Sequence, residues 1–150
     1  MRQKKTVLTL VFIVLMSLFG MAVFSNADEN MALVSSLKGT YTVVIDPGHG
    51  GFDGGATTDD GVLEKGINLN IALYLKEYLN FFGFQVVLTR DSDISTEDEG
   101  LSTIRSRKSS DLHNRMALME KTQNAVFVSI HQNHFSQSKY SGAQVFYSKN

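Results

Sequence analysis

The apolar residues after residue 40 follow two patterns, one typical of strands and the other typical of helices. Four short, continuous apolar runs predict strands, at 41–45, 84–89, 125–130 and 142–147. In 64–82 and 111–122 the apolar residues instead recur every three or four positions, which predicts two amphipathic helices. The polar stretch 92–110 is predicted to be a long loop, with Ser110 or Asp111 capping the second helix.

The alternation of strands with helices predicts an α/β fold. Continuous apolar runs, rather than alternating ones, are typical of strands that are covered on both faces. This pattern favours an open, mostly parallel sheet with flanking helices.

The N-terminus carries a different pattern, that of an export signal. Basic residues within the first five positions are followed by 19 uncharged residues, 6–24, and then by Ser25-Asn26-Ala27. This order is typical of a secretory signal peptide, although the apolar run is also close to the ~20 residues that span a bilayer. Residues 1–27 are therefore predicted to be a signal peptide or an uncleaved anchor in the cytoplasmic membrane. Both interpretations predict an exported protein of the cell envelope, either membrane-anchored or secreted.

Composition narrows the class of protein further. The chain has no cysteine, which excludes disulfide scaffolds, thiolate metal sites and cysteine nucleophiles. Its 14 basic and 15 acidic residues give a formal net charge of −1, which argues against an electrostatic nucleic-acid binder. Residues 28–40 are predicted to be a linker, which leaves 41–150 as one domain with a modest core.

Two of the predicted strands end on loops that carry histidine. The first strand continues into DPGHGG, which contains His49, and the third continues into His131. Because the carboxyl ends of parallel strands share one edge of the sheet, we expect the two histidines to meet there. Glu64, at the start of the first helix, faces the same edge, and the three residues form a candidate zinc set with an open fourth position. Each residue alone has a plainer interpretation, as a hydrogen-bonded histidine or a glutamate at a helix N-terminus.

Other polar residues near these loops keep more than one interpretation. Asn133 and His134 follow the third strand and are candidates for contact with substrate or for hydrogen bonds that support the metal ligands. An exposed, non-functional position for His134 is an alternative. Arg115, on the second helix, would meet substrate carboxylates, pair with Asp111 or lie on a solvated face. His113 is predicted to lie on the surface.

The ordered set of motifs resembles the zinc-dependent N-acetylmuramoyl-L-alanine amidases. The matching segments are VVIDPGHGG at 43–51, the helix start at Glu64, VVLTR at 86–90, LHNR at 112–115 and VSIHQN at 128–133. The insert at 92–110 and the segment 141–147 are most similar to members of the family that act in spore cortex maturation.

The resemblance implies a site and a reaction. His49, Glu64 and His131 fall on the positions of the family's zinc ligands. The implied reaction is hydrolysis of the amide between N-acetylmuramic acid and L-alanine in peptidoglycan, in which zinc polarises the carbonyl and presents the water. Peptidoglycan is therefore the implied partner.

The resemblance covers residues 41–150, roughly the N-terminal two thirds of the family's domain. The family's general-base glutamate lies beyond the fourth strand, and the sequence ends at Asn150 before that position. We therefore expect a sheet that is incomplete on its C-terminal side and a chain that is a fragment of a longer product. One alternative is a non-catalytic, amidase-like protein that binds peptidoglycan. Another is an exported phosphate-binding domain that uses the glycine-rich loop and binds no zinc.

Overall fold

The chain divides into two compact units, residues 1–41 and 42–150. The computed structural model describes residues 15–16, 32, 34–37, 39–132, 139 and 142–148. Most of the predicted export segment, and part of the predicted linker, lie outside these residues. Among the residues that are described, no helix is both long enough and apolar enough to cross a membrane.

In the described part of the second unit, three parallel strands form an open sheet with two helices. The elements in chain order are β1 (Thr42–Pro47), α1 (Glu64–Phe81), β2 (Gln85–Leu88), α2 (Ile104–Lys121) and β3 (Ala125–Ile130). β1 lies in the middle and pairs in parallel with both β2 and β3. This arrangement confirms the predicted open, parallel α/β fold. The connection from β1 to β2 runs through α1, and the connection from β2 to β3 runs through α2 in the opposite direction across the sheet. Because such connections are right-handed, α1 and α2 lie on opposite faces of the sheet.

The face of the sheet that α1 covers is apolar. Val43 and Ile45 of β1 form a core cluster with Ala72 of α1. Partly buried apolar side chains from the neighbouring elements pack around this cluster: Leu75, Leu79, Phe84, Val86, Leu88, Val128 and Ile130. The removal of this apolar surface from water holds α1 on the sheet.

The opposite face becomes polar towards the carboxyl end of the strands. Because successive side chains of a strand alternate between faces, Val44 and Asp46 point away from α1. The Asp46 carboxylate accepts hydrogen bonds from Thr89 (2.7 Å), Ser129 (2.7 Å) and Arg115 of α2 (2.6 Å). One buried carboxylate therefore ties the residue after β2, the end of β3 and α2 to β1.

The predicted start of the second helix is wrong. α2 begins at Ile104 rather than at Asp111, and its N-cap is Thr103, whose side chain accepts a hydrogen bond from the Ser106 backbone N–H. The Ser106 side chain in turn accepts from the Thr103 backbone N–H, which completes a capping box. Residues 104–110 carry little apolar sequence, so the helical period does not show there. Polar contacts, rather than an apolar face, stabilise this first part of the helix.

The predicted strand at 142–147 is also wrong. Residues 142–148 are described and contain no strand. The side chains of Val145, Phe146 and Tyr147 are exposed. A strand is stable when its backbone pairs with a neighbour and one of its faces is buried, and this segment buries neither face on the described sheet.

Candidate metal centre

His49, Glu64 and His131 converge at the carboxyl edge of the sheet. His49 follows β1, His131 follows β3 and Glu64 is the first residue of α1. Their ligand atoms all lie within 4.8 Å of one another. Glu64 Oε1 is 3.3 Å from His49 Nε2 and 3.1 Å from His131 Nδ1. The structure therefore brings together the three residues that the strand ends and the helix start predict.

Two glycines allow this close approach. A Cβ atom at Gly48 would lie 2.2 Å from the His131 ring, and one at Gly55 would lie 2.6 Å from the His49 ring and 2.7 Å from the Glu64 carboxylate. Gly55 also has a φ of +69°, a conformation that side chains disfavour. The absence of side chains at these two positions therefore leaves room for the three candidate ligands.

The Glu64 carboxylate is buried and accepts hydrogen bonds on both of its oxygens. Oε1 accepts from the Gln132 backbone N–H (2.8 Å) and from the Asn68 amide (3.2 Å), and Oε2 accepts from the Ala56 backbone N–H (2.8 Å). Burial alone would raise the pKa of Glu64, but these donors and the nearby His49 lower the pKa to about 2. Glu64 is therefore ionised at neutral pH, as a metal ligand must be.

Two buried arginines hold the loop that carries His49. Arg115 donates to the carbonyls of Pro47 (2.9 Å) and His49 (2.8 Å). Arg90 donates to the carbonyls of Pro47 (2.9 Å) and Gly48 (3.1 Å). His49 has a φ of +63°, which is an unfavourable backbone conformation for a residue other than glycine. These hydrogen bonds from neighbouring elements hold the loop in that conformation.

The sequence of residues 43–150 matches the family profile of the N-acetylmuramoyl-L-alanine amidases. The chain belongs to this amidase family. Over 136 residues the chain is 39% identical to the germination-specific N-acetylmuramoyl-L-alanine amidase of Bacillus subtilis, a match that covers 91% of this chain and 56% of the relative. It is 34% identical to AmiA of Escherichia coli over 108 residues, which cover 72% of this chain and 32% of AmiA. The chain therefore spans about half of the first relative and about a third of the second.

Solved structures of amidases share its fold. The CwlD amidase of Clostridioides difficile, solved in complex with the GerS lipoprotein, superposes with a TM-score of 0.63 at 42% identity. That match covers 66% of this chain and 51% of CwlD. The amidase AmiC2 of Nostoc punctiforme superposes with a TM-score of 0.52 at 38% identity, over 66% of this chain and 47% of AmiC2.

Sequence reasoning missed two residues that contact the loops carrying the candidate ligands. Asp53 lies 3.0 Å from Nδ1 of His49, on the side of the ring away from Glu64. Arg90, which directly follows the buried Thr89, donates to the loop after β1. The available signals are a carboxylate four residues after a candidate ligand, and an arginine directly after the predicted strand 84–89.

The other predicted residues are buried, exposed or outside the described residues. Arg115 is 3% exposed, so the solvated-face interpretation is wrong, and its guanidinium pairs with Asp111 at 2.9 Å. Burial alone would lower the pKa of Arg115, but the carboxylates of Asp46 and Asp111 raise it. His113 is exposed on α2, as predicted. Residues 133 and 134, the predicted Asn133 and His134 contacts, lie outside the described residues.

A cavity of about 320 Å³, open to solvent, adjoins the candidate metal centre. It is lined by Ala56, Thr57, Thr58, Asp59, Val62, Glu64, Ile67 and Gln132. Because Glu64 is a candidate ligand and Gln132 donates to it, a ligand in the cavity would lie next to the converging histidines.

Proposed function

We propose that the protein is a zinc-dependent N-acetylmuramoyl-L-alanine amidase that hydrolyses the amide between N-acetylmuramic acid and L-alanine in peptidoglycan. The observation that carries this proposal is the convergence of His49, Glu64 and His131 in a chain of this family. Similarity to a germination-specific amidase supports the spore cortex as the place where the substrate is found.

The donor atoms fit zinc better than they fit the common oxygen-binding cations. Two imidazole nitrogens and one carboxylate oxygen form a ligand set typical of catalytic zinc, which keeps its fourth position open for water or substrate. Magnesium and calcium prefer sites made entirely of oxygen ligands. The low pKa of Glu64 supports the binding of a cation in general, because the carboxylate binds metal without first losing a proton.

The residues of the chain would prepare the site, and the metal would supply the Lewis acid. Zinc, when bound, polarises a carbonyl and lowers the pKa of a coordinated water to about 7. The backbone N–H groups of Ala56 and Gln132 hold the Glu64 carboxylate in place. The adjoining cavity is open to solvent, and through it a muramoyl peptide would approach the three ligands.

The N-terminal pattern supports an activity outside the cytoplasm. Residues 1–27 would direct export and either be cleaved or remain as an anchor in the cytoplasmic membrane. Peptidoglycan lies on the outer side of that membrane, so a protein oriented in this way would meet its substrate in the cell envelope.

Zinc content and release of stem peptide test the proposal together. We expect the purified chain to bind one zinc ion, and the same chain extended by its downstream reading frame to release free stem peptide from purified peptidoglycan. His131→Ala should lose the zinc, because it removes one of three ligands. His113→Ala is the matched control, because it removes an exposed histidine on α2 and should leave the zinc in place. Equal zinc content in the two variants would overturn the metal centre.

Activity separates the proposed function from its alternatives. Zinc binding without stem-peptide release by the extended form, with retained binding to peptidoglycan, is the result expected of a non-catalytic, amidase-like protein. A wild-type chain that binds no zinc would overturn the zinc-dependent mechanism and favour a phosphate-binding role for the glycine-rich loop.

A further inference from the structure

We propose that Asp53 is a positioning residue of the metal centre, whose carboxylate holds the His49 imidazole in the tautomer that directs an unprotonated Nε2 towards Glu64. The inference rests on the proposed function, because it concerns the metal that His49 would help to bind. Asp53 itself would not contact the metal, since it lies on the opposite side of the imidazole ring.

The two nitrogens of His49 face different carboxylates. Nδ1 lies 3.0 Å from Asp53 Oδ2, and Nε2 lies 3.3 Å from Glu64 Oε1. An ionised carboxylate only accepts hydrogen bonds, so a neutral imidazole can donate to Asp53 or to Glu64 but not to both. The contact with Asp53 is the shorter of the two, and Glu64 Oε1 already accepts from the Gln132 backbone N–H and the Asn68 amide, so the geometry favours a proton on Nδ1. In a neutral imidazole, that proton leaves Nε2 with its lone pair free for a metal. Without Asp53, the proton would be free to move to Nε2 and donate to Glu64.

Asp53 is itself held in place from several directions. Its backbone pairs with Gly50 through two hydrogen bonds, at 2.9 and 3.0 Å. Its second carboxylate oxygen, Oδ1, lies 3.0 Å from the ammonium group of Lys108 on α2. One oxygen is therefore occupied by Lys108 while the other faces His49. A carboxylate fixed in this way orients the histidine ring more strictly than a mobile side chain would.

The second histidine of the centre is oriented differently. His131 is 48% exposed, and its Nδ1 faces Glu64 at 3.1 Å. Its ring meets the His49 ring edge-on, with the two centroids 4.8 Å apart. Substitution of Asp53 should therefore release the His49 ring and leave the contact between His131 and Glu64 in place.

The position of the His49 ring proton in the metal-free full chain is the first test. Nitrogen NMR distinguishes a protonated from an unprotonated ring nitrogen, and so reports which nitrogen of His49 carries the proton. We expect the proton on Nδ1 in the wild type and a mixture of tautomers in Asp53→Ala. Asp53→Asn should also give a mixture of tautomers, because its amide can accept from Nδ1 through its oxygen or donate to Nδ1 through its NH2 group. A purely structural role for Asp53 would not move this signal.

Zinc affinity, measured by competition with a chelator, is the second test. We expect Asp53→Ala to weaken zinc binding by about 10–100-fold and Asp53→Asn to weaken it less. Asp60→Ala is the matched control, because Asp60 is a carboxylate of the same loop that bonds to Thr58. Its zinc affinity should equal that of the wild type.

The outcomes separate this inference from the proposed function. A proton on Nε2 in the wild type overturns the inference, and this measurement needs no variant to fold. A wild type that binds zinc, together with an Asp53→Ala variant of equal affinity, overturns the inference and leaves the metal centre intact. A wild type that binds no zinc overturns the proposed function, and the role of Asp53 with it.

Discussion

The two faces of the sheet use the same central strand for different purposes. Towards α1, Val43 and Ile45 of β1 pack in an apolar cluster. Towards α2, the same strand presents Asp46, which bonds to Arg115 of the helix at 2.6 Å. Apolar packing is non-directional, whereas a hydrogen bond has a preferred distance and angle. The comparison suggests that the apolar face stabilises the fold and that the polar face sets the geometry of the loop that carries His49.

The two helices accordingly contribute to the candidate metal centre in different ways. α1 supplies a ligand directly, since Glu64 is its first residue. α2 supplies no ligand among the described residues, but Arg115 donates to the His49 carbonyl and Lys108 pairs with Asp53. α2 therefore acts on the centre through the backbone and the ring of His49.

Loss of Arg115 is expected to have the largest effect on the polar face. Arg115→Met leaves the carboxylates of Asp46 and Asp111 buried without their cation, which should cost about 3–5 kcal/mol of unfolding free energy. Urea denaturation measures the change. Arg105→Met, at an exposed position of the same helix, is the control and should stay within about 0.5 kcal/mol of the wild type. A loss below about 1 kcal/mol in Arg115→Met would contradict the assignment of the polar face.

Truncation of a side chain on the apolar face should lower the unfolding free energy somewhat less than loss of Arg115 does, and it should leave zinc affinity unchanged. Ile45 is fully buried, and Ile45→Ala should lower the unfolding free energy by about 3 kcal/mol through lost contacts and a residual cavity. Zinc affinity of the folded fraction should nevertheless remain close to that of the wild type, whereas Arg115→Met should weaken zinc binding. Equal losses of zinc affinity in the two variants would break the proposed division between the faces.

The same division explains how much of the fold can be predicted from the sequence. The apolar face is visible as continuous runs and helical periods, and the predicted bounds of β3 and the start of α1 at Glu64 agree with the structure. The beginning of α2 has no such period, because Thr103 and Arg107 stabilise it through a capping box and an ion pair with Glu97. Polar contacts between distant segments leave no periodic trace in the sequence.

The candidate metal centre likewise has contacts that the sequence predicts and contacts that it does not. The convergence of His49, Glu64 and His131 follows from the rule that parallel strands end at one edge, so sequence position is enough to predict it. The contacts of Asp53 and Arg90 depend instead on how the loops fold back on themselves. Their distances are set by local backbone conformation, such as the positive φ of His49, which the sequence does not specify on its own.

A smaller effect is expected from pH, through Asp46. Burial alone would raise the pKa of Asp46, but hydrogen bonds from Thr89, Ser129 and Arg115 hold it below the ordinary value of 3.8. The ionised carboxylate therefore stabilises the fold fully above the ordinary pKa, and this contribution is lost as the pH falls through the lower pKa of the folded state. The difference in unfolding free energy between the wild type and Asp46→Asn should be constant above about pH 5 and should shrink as the pH falls from there through 3.8 and below. A difference that stays constant below about pH 5 would contradict this role.

The smallest expected effect concerns the N-cap of α2, and it tests how far the polar face extends. Thr103→Ala removes the side-chain oxygen that accepts from the Ser106 N–H and should cost about 1 kcal/mol. Thr103→Ser keeps that oxygen and should stay within a few tenths of a kcal/mol of the wild type, so the pair isolates the cap. Lys108 lies only two residues after Ser106, and fraying of the first turn would loosen its contact with Asp53. Amide hydrogen exchange in Thr103→Ala should therefore accelerate at 104–108 and remain unchanged around Arg115. Uniform acceleration along α2 would instead show that the cap stabilises the whole helix.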